Sequence, residues 1–84
     1  MPDVPDLPLQ NLSATELAAL ICRAADELST RGSSESFAEM LKVVSHVGER
    51  VGIAARGLAS ANSWSQVAQV SGTSKQAAWE RWRM

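Results

Sequence analysis

The chain has a single cysteine, no tyrosine and one phenylalanine. Cys22 alone cannot form an internal disulfide, and its place among Ile21, Ala24 and Ala25 predicts a buried, inert thiol. Bulky core material is left to three tryptophans, all between Trp64 and Trp82. No run of about eighteen apolar residues is present, so no membrane span is expected. The N-terminus lacks the basic start and apolar core of a signal peptide, which makes the cytoplasm the expected location. No stretch alternates with the period of a β-strand, and no glycine-rich phosphate loop can follow one. The serines fit neither GxSxG nor SxxK. His46 has no Cys, Asp or second His at ligand spacing and reads as an ordinary helix histidine. Glu35 and Glu39, four apart, read as a solvated helix face. Neither an enzyme, a metal site nor a cofactor is expected.

What remains is helical. At 84 residues the chain is long enough for one small domain with a modest core. All three prolines, Pro2, Pro5 and Pro8, fall in the first eleven residues. Each fixes φ and removes a donor, so residues 1–12 are predicted to form an extended arm. Its acids Asp3 and Asp6, with no base, argue against entry into a nucleic-acid groove. Ser13 and Glu16 have the spacing of a capping box, with Leu12 and Leu17 placed to staple it. The helix they open runs to about Thr30, with Leu17, Leu20, Ile21, Ala24 and Leu28 on one stripe, and Arg31-Gly32-Ser33 ends it.

A second helix begins near Ser34, capped by Ser33 or Ser34. Phe37, Leu41, Val44, Val51, Ala55 and Leu58 form its stripe, widened by Met40, Val43, Val47, Ile53 and Ala54. So broad an apolar surface needs covering on more than one side, by the rest of the chain or by a second subunit. Gly48 and Gly52 leave two readings open: a helix crossing closely at the glycines, or a kink near residue 50. A kink would make Gly52 to Ser60 a separate short helix.

The stretch from Ser63 to Arg83 is the most informative. Ser63 is placed to cap a helix carrying Trp64, Val67, Ala68 and Val70. Gly72 supplies the positive φ that ends it, and Ser74 caps the next helix. Ala78, Arg81 and Trp82 lie on one side of that last helix, and Lys75, Gln76, Trp79 and Arg83 on the other. Ala68, four residues before Gly72, is small enough for two helices to cross closely. Two helices around a short glycine turn have the form of a helix-turn-helix.

Charge follows the same division. Residues 1–49 hold eight acids and three bases, a net −5. Residues 50–84 hold Arg50, Arg56, Lys75, Arg81 and Arg83 against Glu80, a net +4. Phosphate binding requires local positive charge, not a positive total.

The segment resembles the helix-turn-helix of bacterial DNA-binding proteins. It is especially similar to short actinobacterial regulators with a run like SWxxVAxxxGxSxQAAWERW. The matching residues are Ser63-Trp64, Val67-Ala68, Gly72, Ser74 and Gln76-Ala77-Ala78-Trp79-Glu80-Arg81-Trp82, about a quarter of the chain. Ser71 departs from the pattern, where a larger apolar residue often precedes the glycine. The resemblance implies an all-α fold: a small bundle of four to five helices ending in a helix-turn-helix. Residues 13–50 would then be a helical pair offering a dimerisation or partner surface, and 51–84 the DNA-binding unit.

It also implies a cytoplasmic, nucleoid-associated transcriptional regulator that reads duplex DNA with helix 74–83. Thr73 and Ser74 would meet phosphate, and Lys75 and Gln76 base edges. Ala77 would meet a thymine methyl, and Arg83 and Arg56 the backbone, with Arg50 beside Arg56. Trp79 has two open roles, on the DNA or against another helix or chain. Specific reading by one such unit usually takes a twofold dimer. The rival expectation is a helical adaptor, antitoxin-like or polymerase-binding, whose acidic half holds a basic partner.

Overall fold

The computed structural model describes residues 8–84, so most of the proline-rich arm, residues 1–7, lies outside the described residues. The described chain is all-helical, with a short 3-10 turn, Leu9–Asn11, followed by α1 (Ala14–Ser29), α2 (Ser34–Ala61), α3 (Trp64–Ser71) and α4 (Lys75–Trp82). The 3-10 turn corrects the expectation of an extended arm through residue 12. The amides of Asn11 and Leu12 turn back onto the carbonyls of Pro8 and Leu9. No helix among the described residues is long and apolar enough to cross a membrane. The helices fall into two compact units, one up to Met40 and the other from Leu41 to Met84.

In the first unit the helix ends follow local chemistry. Glu16 N–H donates to Ser13 Oγ at 3.1 Å, and Ser13 N–H donates to Glu16 Oε1 at 2.8 Å, a complete capping box. The C-terminal end of α1 is closed by the hydroxyls of Ser29 and Thr30, which donate to the carbonyls of Asp26 and Glu27. Gly32, with φ 66°, takes the left-handed conformation just past the end of α1. Ser33 opens α2, its Oγ accepting from the Ser36 amide at 3.1 Å. The Ser36 hydroxyl donates back to the Ser33 carbonyl at 3.0 Å, which buries Ser36 with its polar atoms satisfied.

The apolar stripe of α1 is not a core. The helix has no buried residue, Ile21 is 53% exposed, and Cys22 is exposed, contrary to the expected buried thiol. Helical periodicity gives the direction a side chain points, and here Leu17, Leu20 and Leu28 on that side are covered only in part.

Helix α2 is a single element of 28 residues, with no break at Gly52. The kink reading does not hold. A Cβ at Gly48 would meet nothing within 4 Å, so no helix of the second unit crosses there. At Gly52 the nearest atoms it would meet belong to the Arg56 side chain, Nη1 at 3.3 Å. Gly52 makes room for a guanidinium rather than for a helix.

The core of the second unit is small. Ala55, Val67, Ala68 and Ala78 are buried, and Leu58, Ala59, Trp64 and Trp82 pack around them half-buried. Ala68 and Ala78 are the contact residues of α3 and α4, where a missing side chain lets the two axes approach. Val70, placed on the inner side by its spacing, is instead 73% exposed. Leu41, Val44 and Val51 of α2 are likewise bare, at 57%, 65% and 45%.

Candidate nucleic-acid interface

The turn between α3 and α4 is built by three residues. Gly72 sits at φ 73° and ψ 30°, and its amide donates to the Ala68 carbonyl. Thr73 N–H reaches the same carbonyl at 3.1 Å, the longer bond of a Schellman closure. Ser71, the departure from the expected apolar residue, turns its hydroxyl back to donate to the Val67 carbonyl at 2.8 Å. The hydroxyl thus binds the last turn of α3 where an apolar side chain would pack.

Ser63 and Ser74 cap the two helices, accepting from Gln66 N–H at 3.2 Å and Ala77 N–H at 3.1 Å. In α4 the Ser74 cap takes the third of the first-turn amides, and those of Lys75 and Gln76 point out along the axis. That end carries the positive end of the helix dipole.

Ala78, fully buried, fixes the rotation of α4 against α3. The expected contact residues Thr73, Ser74, Lys75, Gln76, Ala77, Trp79 and Arg83 are all exposed. Trp79 is 40% exposed, and the Arg83 guanidinium lies over its ring at 4.7 Å from the centroid. The two side chains form one stacked pair, which orients Arg83 one turn beyond Trp79. Trp82 is half-buried beneath the Arg81 guanidinium, 5.0 Å from its ring centroid.

Two features escaped the sequence reading. Gln76 Nε2 donates to Glu80 Oε2 at 3.0 Å, so the carboxylate stands on the exposed face beside the proposed reading group. The four-residue spacing of Gln76 and Glu80 was the available signal. Arg56 also sits differently from its expected role at the DNA backbone. It is half-buried, and Nη1 donates to the Trp82 carbonyl at 3.0 Å and to the Met84 carbonyl. Its guanidinium satisfies carbonyls at the C-terminal end of α4, where a cation also complements the helix dipole. A contact at long sequence separation left no local pattern to read.

Among the described residues no group of three or more His, Cys, Asp or Glu could hold a metal ion. No protein-family model, curated protein or solved structure matches the chain.

Proposed function

We propose that Leu41–Met84 is a duplex-DNA-binding unit of a bacterial-type transcriptional regulator, with α4 read into the major groove. One observation supports this above the rest. Ala78 is fully buried against α3, while Thr73 to Ala77, Trp79 and Arg83 stand exposed at the N-terminal end and outer face of α4. The major groove admits one helix, and the first residues of a recognition helix reach the base edges.

In this reading the amides of Lys75 and Gln76 and the hydroxyls of Thr73 and Ser74 meet phosphate. Gln76 reads adenine through its amide, exchanging the Glu80 carboxylate for the base. Lys75 donates to guanine or phosphate, and Ala77 meets a thymine methyl. The Trp79–Arg83 pair lies along the sugar-phosphate edge. The net +4 of residues 50–84 draws the unit to DNA, and the acidic first half limits non-specific binding. Two copies acting as a homodimer in the cytoplasm, on the nucleoid, supply the second half-site.

A second reading has its own observation. Leu41, Val44 and Val51 are large apolar side chains of the second unit standing exposed, as on a surface that binds protein. A helical adaptor engaging a basic partner would use such a surface without DNA.

Selection from a random duplex library at two salt concentrations, with Gln76→Ala in parallel, decides between them. The DNA reading expects an enriched sequence, relaxation at one position in the variant, and affinity that falls steeply with salt. Absence of duplex binding at low salt would refute it and leave the adaptor.

A further inference from the structure

The ionisable side chains of α2 between Leu41 and Val51 are Lys42, His46, Glu49 and Arg50. All four fall on one side of the helix by its 3.6-residue period. The opposite side carries Leu41, Val44, Val47, Gly48 and Val51, and its large members are 36% to 65% exposed. The spacing 41, 44, 48, 51, 55, 58 alternates three and four residues, the repeat of a coiled-coil seam. At Ala55 and Leu58 this seam is covered by α3 and α4 of the same chain. From Leu41 to Val51 it is bare.

Where the seam passes from bare to covered there is a hollow of about 240 Å³, lined chiefly by Val51, Ala55, Leu58, Val67, Val70 and Trp82. A dry apolar cavity of roughly 150 Å³ accepts a benzene ring. The chain's one phenylalanine, Phe37, occupies a seam position of α2 and is 66% exposed.

These facts select an occupant. A parallel, in-register partner would set each α3–α4 pair at the level of the other, on the same face, where they collide. An antiparallel partner centred near His46 sets Leu41 opposite Val51, Val44 opposite Gly48 and Phe37 opposite Ala55. Val44 then meets the open side of Gly48 and Phe37 the small Ala55, the alternation that interdigitated packing uses, while Leu41 packs on Val51. Phe37 arrives at the level of the hollow.

We propose that a second copy of this chain covers the Leu41–Val51 face with its α2 antiparallel, and seats its Phe37 in the hollow between α2, α3 and α4. The contact is isologous, so the same insertion occurs twice about one twofold axis. It accounts for the exposure of Val70, which lines the hollow rather than the core. It deepens the homodimer of the DNA-binding reading, but its test contains no DNA and fails separately from that reading.

The full chain carrying Cys22→Ser is examined by sedimentation equilibrium, with helix content followed by circular dichroism. A dimer is expected, with Phe37→Ala and Val70→Ser each weakening it by at least about tenfold, as truncation of a central contact does. Helix content at high concentration stays the same. Disulfide trapping fixes the direction: Val44→Cys chains mixed with Gly48→Cys chains give crosslinked heterodimers, and neither alone gives a crosslinked pair. A monomer at about 100 µM overturns the proposal. So do trapping of Val44→Cys with itself and dimerisation indifferent to both Phe37→Ala and Val70→Ser.

Discussion

The Arg56 guanidinium, on α2, donates to the carbonyl oxygen of Trp82, the last residue of α4, at 3.0 Å. This bond joins elements 26 residues apart and closes the end of α4 opposite its exposed N-terminus. Gly52 provides the space in which the guanidinium lies. Arg56→Ala is therefore expected to lower the stability of the second unit by about 1.5–3 kcal/mol, the range for a hydrogen bond to a charged group. Urea unfolding checks this. Should Arg56→Ala leave stability unchanged but reduce duplex affinity and its salt slope, the residue is a phosphate contact instead.

Gly72 and Gly57 should respond oppositely to alanine. Gly72 sits at φ 73°, where a Cβ meets no neighbour but the backbone itself is strained, at about 1–2 kcal/mol. Gly57 lies inside α2 with open space around it, so alanine there should stabilise by about 0.5–1 kcal/mol. The paired thermal melts check both signs.

Adjacent alanines of α4 should differ as sharply. Ala78 is fully buried against α3, so Ala78→Leu overfills the contact and costs about 1–3 kcal/mol. Ala77→Leu, on the exposed side, should leave the melting temperature nearly unchanged and act only on duplex binding. Equal destabilisation by both would mean that α4 is rotated from the orientation described.

Glu80→Gln should raise duplex affinity severalfold at low salt, since it removes a negative charge from the face that meets phosphate and leaves Gln76 only a weaker, neutral acceptor. Arg83→Ala should reduce the salt slope by about one. Fluorescence anisotropy of a labelled duplex across a salt series measures both. A loss of affinity in Glu80→Gln would show that the Gln76–Glu80 bond holds the reading geometry.

Helix limits were legible because they depend on chemistry within four residues. Ser13 with Glu16, Ser33, Ser63, Gly72 and Ser74 mark ends in the sequence and do the same in the structure. The all-helical class followed from periodicity, and the rotation of α4 from the small residues Ala68 and Ala78. Burial was less legible. Leu41 and Val44 lie on the apolar side as their spacing requires, yet they stand 57% and 65% exposed. The expected burial of Cys22 failed for a similar reason: a side chain's neighbours on its own helix do not show what lies opposite. Of the candidate contact set, the exposed residues around α4 were readable from the period, whereas the placement of Arg56 depends on a contact across 26 residues.

The core around Ala55, Val67, Ala68 and Ala78 has a thermodynamic consequence. Three of these four side chains are single methyl groups, so the fully buried part of the core takes little apolar surface out of water, and Leu58, Trp64 and Trp82 add only their covered sides. The heat-capacity change on unfolding is correspondingly small, and the stability curve is flat. Against such a shallow optimum, the mass-action contribution of any bound species becomes a large share of the total. Concentration then enters beside temperature in setting how much of the unit is folded.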